Sequence, residues 1–173
     1  MAIGLIIIYT GDGKGKTTAA LGLALRALGH GKSVCIVQFM KGLGMTGEVK
    51  ALSCFEKASI RQFGTGTFIM KGKHTKEDVE EARKGLDFAA QVIASKLYNV
   101  VILDEICIAI DFGLISLEDV LEILMSKDRE TDIVLTGRNA PTALIDLADL
   151  VTEMKCVKHP YDLGIGAKEG IDY

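Results

Sequence analysis

Apolar residues are spaced in two ways along this chain. Short runs such as "LIIIYT", "SVCIVQF", "VVILD" and "DIVL" are apolar at consecutive positions and rich in β-branched side chains, whereas longer segments between them repeat at helical spacing. That alternation predicts strand, crossover helix and parallel strand in succession. Strands are expected at Leu5–Thr10, Ser33–Phe39, Ser59–Phe63, Val100–Asp104, Asp132–Leu135 and Leu150–Val157. Several of these runs lack a polar alternate, which suits strands covered by helices on both faces. The expected fold class is α/β: a single domain of three layers, with a mainly parallel sheet between helices.

The helical segments carry their own punctuation. The first should run from Lys16 to Leu28 and stop at Gly29 or Gly31, where glycine accepts the left-handed turn that ends helices. "TKEDVEEARKGLDFAAQVIAS" has Thr75 as its N-cap and acids in its first turns. "SLEDVLEILM" opens on a second cap, Ser116, and "NAPTALIDLADL" carries Pro141 where a first helical turn tolerates it. Between Met40 and Thr75 the pattern is broken by Gly42, Gly44, Gly47, Gly64, Gly66 and Gly72, and these loops are expected to rim a site. No repeat, linker or low-complexity segment divides the 173 residues, so one domain spanning 1–173 is the expectation.

Charge narrows the partners. A formal net charge of −3 and a pI near 5.6 argue against a broad nucleic-acid footprint, so anion binding has to be local. Cys35, Cys54, Cys107 and Cys156 are too scattered for a CxxC zinc or redox pair, and are expected as reduced thiols. No apolar run approaches the roughly 20 residues of a membrane span, and the amino terminus lacks a basic segment followed by an apolar core. Cytoplasmic placement, away from membranes, is the expectation.

Local anion chemistry is concentrated in "TGDGKGKTT", Thr10 to Thr18, between the first strand and the first helix. A glycine-rich turn there aims backbone N–H groups and the positive helix end at one point, where an anion belongs. Gly11, Gly13 and Gly15 let the backbone curl around phosphate oxygens, Asp12 and Lys14 sit within the turn, Lys16 supplies a mobile charge, and the Thr17 hydroxyl is placed for Mg²⁺. The usual GxxxxGK[ST] pattern would put its first glycine at residue 10, where this chain has Thr10.

Two further strand ends point at the same crevice, because ligands of open parallel sheets bind at the carboxyl ends of the strands. "NVVILDE" delivers Asp104 and Glu105 as candidate Mg²⁺ carboxylates, and "LTGRNAP" delivers the planar guanidinium of Arg138. Lys41, just after the second strand, is a weaker candidate of the same kind.

The residues that carry a wider resemblance are "TGDGKGKTTAALGLALRALGHGKSVCIVQFMKG", "VVILDE", "TGRNAPTALIDLADLVTEMK" and "VKHPYDLGIGAKEGIDY". Together they cover most of the chain in order, and the sequence resembles the P-loop ATP:corrinoid adenosyltransferases, whose loop shares the Thr10 variant. The resemblance implies a RecA-like P-loop fold, a homodimer, and ATP lying reversed in the loop relative to most P-loop enzymes. It implies attack of Co(I) of a reduced corrinoid on C5′ of ATP, with release of triphosphate and no protein nucleophile. An electron donor such as a flavoprotein is the further partner.

In that chemistry the protein positions C5′ and stabilises charge on the departing triphosphate. Lys14, Lys16, Arg138 and Mg²⁺ (or Mn²⁺) held by Thr17 and Glu105 suit the task; Thr10 to Thr18 and Lys41 form the nucleotide-binding set. The resemblance also places an apolar loop against the corrinoid to exclude its lower axial ligand, since a four-coordinate Co(II) is easier to reduce. In "FGTGTFIM" the candidate is Phe68, with Ile69 and Met70, although tryptophan often stands in this stretch of relatives and this chain has none. Some relatives carry an extension before the first strand that folds over the nucleotide; only Met1 to Gly4 precede it here, so a lid is expected to come from elsewhere or to be missing. For the tail, closure over the corrinoid and docking without a ligand role both stay open.

Two rival readings remain at this level. In a RecA-like ATPase, Glu105 would polarise water at the γ-phosphate. In a nucleotide sensor, ATP would be bound and left unchanged.

Overall fold

Consecutive apolar residues in a strand point to opposite faces, so a strand such as "VVILD" can be buried throughout only between two layers of helix. A computed structural model, which describes residues 3–42, 44 and 46–172, shows this arrangement. Its elements are β1 (Ile6–Thr10), α1 (Lys16–Gly29), β2 (Val34–Phe39), α2 (Gly47–Leu52), β3 (Ala58–Phe63), α3 (Lys76–Ser95), β4 (Val100–Asp104), α4 (Ile106–Asp111), α5 (Leu117–Met125), β5 (Asp132–Thr136), α6 (Thr142–Leu147) and β6 (Leu150–Glu153). The six strands form one sheet in the order β3-β2-β4-β5-β1-β6, every neighbouring pair parallel. This is a three-layer α/β fold of RecA-like P-loop type.

Two apolar cores lie on either side of the sheet. On one side Ala20, Ala24 and Ala27 of α1, one face at helical spacing, pack on Ile7, Val34, Ile36, Val100, Ile102 and Val134. On the other, Ala82, Leu86, Ala89 and Ile93 of α3 and Val120 and Leu124 of α5 cover Ile8, Val37, Val101, Leu103, Ile133 and Leu135. Alanines on α1 let the helix that begins at the phosphate loop lie close to the sheet. Thr75 caps α3 reciprocally with Asp78, and the Ser116 hydroxyl accepts from the Asp119 amide, as expected for both caps.

Three expectations need correction. β6 was expected to reach Val157 but ends at Glu153: among the described residues it pairs with β1, whose last strand residue is Thr10. It is also an edge strand whose four residues are exposed, not one covered on both faces. The stretch from Met40 to Thr75 contains a short helix, α2, as well as loops. Pro141 stands at the N-cap position of α6, one place before the first turn.

Candidate functional site

The end of β1 and the start of α1 are joined by five residues whose conformation depends on glycine. Gly15 has φ +116° at the N-cap of α1, a region that favours glycine. Gly11 has φ +95°, and a Cβ there would lie 2.5 Å from the Met154 carbonyl oxygen. The segment after β6 is thus packed against the loop, and the Gly13 amide donates to that same Met154 oxygen at 2.6 Å. Lys16 curls back over the loop, its Nζ donating to the carbonyls of Gly11 at 2.7 Å and Gly13 at 2.8 Å. Burial lowers its pKa, partly offset by the nearby Glu105 carboxylate.

Asp104 is the hub beneath this loop. It is 1% exposed at the end of β4, and its Oδ1 accepts from Thr17 Oγ1 at 2.8 Å and Thr136 Oγ1 at 2.7 Å, while Oδ2 accepts from Gln38 Nε2 at 3.1 Å. Three strands and α1 therefore converge on one carboxylate. Glu105 follows with φ +63°, its amide donating to Thr136 Oγ1 at 2.9 Å, so that its side chain leaves the sheet edge towards the loop. Burial first, and then the charge of Asp104, push the Glu105 carboxyl above the ordinary carboxylate range, with Lys41, Lys16 and Arg138 pulling the other way.

A pocket of about 430 Å³ opens over the loop, lined by Lys14, Lys16, Thr17, Thr18, Lys41 and Glu105 among others. Gly170, Ile171 and Asp172 of the tail line it too, and Asp172 forms an ion pair with Lys14. The tail thus reaches the phosphate side. Beside it lies a second cleft of about 470 Å³, with Met40, Phe68, Ile69, Ile108, Phe112 and Arg138 in its walls. Lys41 and Glu105 line both pockets, so the two spaces meet at these residues. Arg138 reaches the phosphate loop, its Nε 3.9 Å from Asp12 Oδ1 and its Nη2 3.5 Å from the Asp12 carbonyl oxygen. The Thr10 hydroxyl accepts from the Ala140 amide at 3.3 Å, tying the loop to the turn that carries Arg138.

The sequence-predicted residues Thr10 to Thr18, Lys41, Glu105 and Arg138 all gather at this edge. Phe68 is 92% exposed and Ile69 only 8%, so that one side chain of the apolar loop is anchored and its neighbour projects. Thr17 pairs with Asp104, whereas Glu105 faces the pocket. Gln38 and Thr136 escaped sequence reasoning, although a glutamine inside the apolar run "VCIVQF" was the available signal.

The donor set suits a small hard cation. Among the described residues no three His, Cys, Asp or Glu side chains converge on one point. A hydroxyl and one or two carboxylates beside a phosphate site are what Mg²⁺ uses, since it keeps several waters and takes remaining ligands from substrate phosphates.

The comparisons with known proteins agree along nearly the whole chain. The family model described as ATP:corrinoid adenosyltransferase BtuR/CobO/CobP matches residues 2–173. Proteins named corrinoid adenosyltransferase are similar: one from Pseudomonas aeruginosa is 37% identical over 171 residues, 98% of this chain and 84% of that protein. One from Escherichia coli K12 is 37% identical over 170 residues, 98% of this chain and 86% of that protein. One from Sinorhizobium sp is 41% identical over 176 residues, 98% of this chain and 80% of that protein.

Proposed function

The chain belongs to the ATP:corrinoid adenosyltransferase family, and from that premise we propose how its two adjoining clefts divide the reaction. The activity is transfer of the 5′-deoxyadenosyl group of ATP to the cobalt of a reduced corrinoid. The electron pair of Co(I) forms the bond to C5′ as the C5′–oxygen bond breaks, and that bonding pair leaves on triphosphate. The enzyme's work is to bring the two substrates into line and to stabilise the leaving group.

The phosphate loop, Thr10 to Thr18, holds the triphosphate. Its amides, Lys14, Lys16 and Arg138 compensate the charge that grows on the departing oxygen. Thr17 and Glu105 hold Mg²⁺ (or Mn²⁺), with Asp104 orienting the Thr17 hydroxyl. When bound, the cation supplies electrostatic stabilisation of the phosphate oxygens. The corrinoid lies in the apolar cleft, where Phe68 packs against the lower face of the macrocycle and excludes water and an axial ligand. The observation that carries this reading is the shared wall: Lys41 and Glu105 border both spaces, so C5′ of a nucleotide seated on the loop faces the cleft.

The reading extends to partners and setting. An electron donor such as a flavoprotein delivers the electron that makes Co(I). The open edge of β6, with Leu150 43% and Val151 39% exposed, supports assembly as a homodimer. Four free cysteines accord with a reducing, cytoplasmic setting, and no helix among the described residues is long and apolar enough to cross a membrane. The chain acts as a single nucleotide-binding domain over 1–173, with no nucleic-acid partner.

An anaerobic assay with ATP and Co(I) corrinoid, followed by visible spectra and phosphate analysis, tests the reading. Inorganic triphosphate and an adenosylated corrinoid in equal amounts are expected. ADP and phosphate with the corrinoid unchanged would replace it with γ-phosphate hydrolysis.

A further inference from the structure

The walls of the apolar cleft come from several segments: the stretch after β2 at Met40–Gly42, the segment around Phe68, Glu105 with α4 and its C-terminal end, and the turn that carries Arg138. One carboxylate on α4 joins the Phe68 segment to the Arg138 turn. Asp111, the last residue of α4, accepts from Lys71 Nζ at 2.7 Å on Oδ1 and from Asn139 Nδ2 at 3.1 Å on Oδ2. Lys71 follows the cleft residues Phe68 and Ile69 by two or three positions, and Asn139 immediately follows Arg138. Asp111 itself lies between Ile108 and Phe112, both in the cleft wall. Its side chain is only 17% exposed against 62% for Lys71, and the Lys71 ammonium, opposed by some burial, holds its carboxyl below the usual carboxylate range.

Asn139 has φ +55°, in the left-handed region where asparagine is enriched among non-glycine residues, and from there its side-chain amide reaches Asp111 of α4. The near end of the Phe68 loop is fastened separately, by Thr65 Oγ1 donating to Asp78 Oδ1 at 2.7 Å at the start of α3. Between Thr65 and Thr75 the loop is therefore held at its base, at the buried Ile69 and at Lys71, with Phe68 on the short arch before Ile69.

We propose that Asp111 is a positioning residue that sets the width of the apolar cleft by clamping the Phe68 loop, through Lys71, to the Arg138 turn, through Asn139. This rests on the reading that the cleft takes the corrinoid. Closure of the Phe68 arch on the macrocycle and placement of Arg138 at the phosphate loop are then linked through one carboxylate. Neither Lys71 nor Asp111 lines the phosphate pocket or the apolar cleft.

The test uses the full-length enzyme with Asp111→Asn, Lys71→Met and the charge-exchanged Lys71→Asp/Asp111→Lys pair, in which the Asn139 amide turns its oxygen to the new lysine. For each single variant the KM for the corrinoid rises roughly fivefold, the scale of one partly exposed charged pair, while that for ATP changes by less than about twofold. The four-coordinate Co(II) signal of the enzyme–ATP–corrinoid complex, read by electron paramagnetic resonance, weakens in step. The exchanged pair regains most of both. Unchanged corrinoid KM and unchanged signal in the single variants, or no recovery in the exchanged pair, overturns the proposal. Thr67→Arg, which places bulk on an exposed part of the cleft wall, separates the two levels. If it weakens corrinoid binding while the Asp111 and Lys71 variants do not, the clamp fails and the cleft stands; if it too is without effect, the cleft reading fails with it.

Discussion

The two halves of the site are built by different means. On the phosphate side the central groups, Asp104 and Lys16, are buried and tied down, although Lys14 and Arg138 at the rim are partly exposed: Asp104 takes hydrogen bonds from α1, β2 and β5, and Lys16 is held by two loop carbonyls. On the apolar side Phe68 stands 92% exposed on a loop, held by the buried Ile69 and by a pair in which Lys71 is itself mostly in solvent. Preorganisation is thus placed where charge develops, since fixed dipoles stabilise a leaving group only if they need no reorganisation during the reaction. On the reading proposed above, the corrinoid brings its own reactive metal and a large rigid surface, so the apolar half would have only to enclose it.

That contrast predicts unequal damage. Lys16→Ala should lower adenosyl transfer by about 10²- to 10³-fold with Co(I) corrinoid supplied, as expected for loss of a donor to developing charge, while circular dichroism stays native. Near-normal turnover would remove the phosphate loop from the mechanism.

Glu105→Gln should raise the Mg²⁺ concentration for half-maximal activity by about tenfold or more. It also has a pH signature. Because burial raises the folded-state pKa of Glu105, its contribution to stability is complete below the ordinary carboxylate value and is lost as pH rises through the raised one. Thermal melts in chelator from about pH 4 to about pH 8 should show a shallower decline across that window in Glu105→Gln than in the parent. Identical profiles would mean that Glu105 is not buried in the way described.

The smallest effect belongs to the apolar half. Phe68→Ala should cost no more than about 1 kcal/mol of stability, because an exposed side chain removes little buried area, yet it should weaken the four-coordinate Co(II) signal. A large drop in melting temperature would show that the loop is core, and the comparison between the halves would fail.

Sequence legibility follows the same division. β4 was placed residue for residue at Val100–Asp104, and α1 began at Lys16 as expected, because continuous apolar runs and a glycine-rich turn are local signals. Thr75 and Ser116 were legible as caps for the same reason. What escaped depends on distant partners. Gln38 and Thr136 matter only because β2 and β5 flank β4 in the folded sheet, an adjacency no short window contains. β6 ran on as a strand in the pattern of "LVTEMKCV", whereas in the fold its pairing with β1 ends at Glu153, opposite Thr10. α2, six residues beginning at a glycine, is too short to display a helical period. Phe68 and Ile69 were grouped by composition, while the fold sends Ile69 inward and Phe68 outward.

The two carbonyls that receive the Lys16 ammonium bear on how the catalytic cycle ends. Triphosphate carries the same anionic handle as ATP, so a cradle that bound phosphate without competition would retain its own product. At Gly11 and Gly13 the lysine has resident acceptors, so a loop emptied of phosphate does not leave a bare buried cation behind.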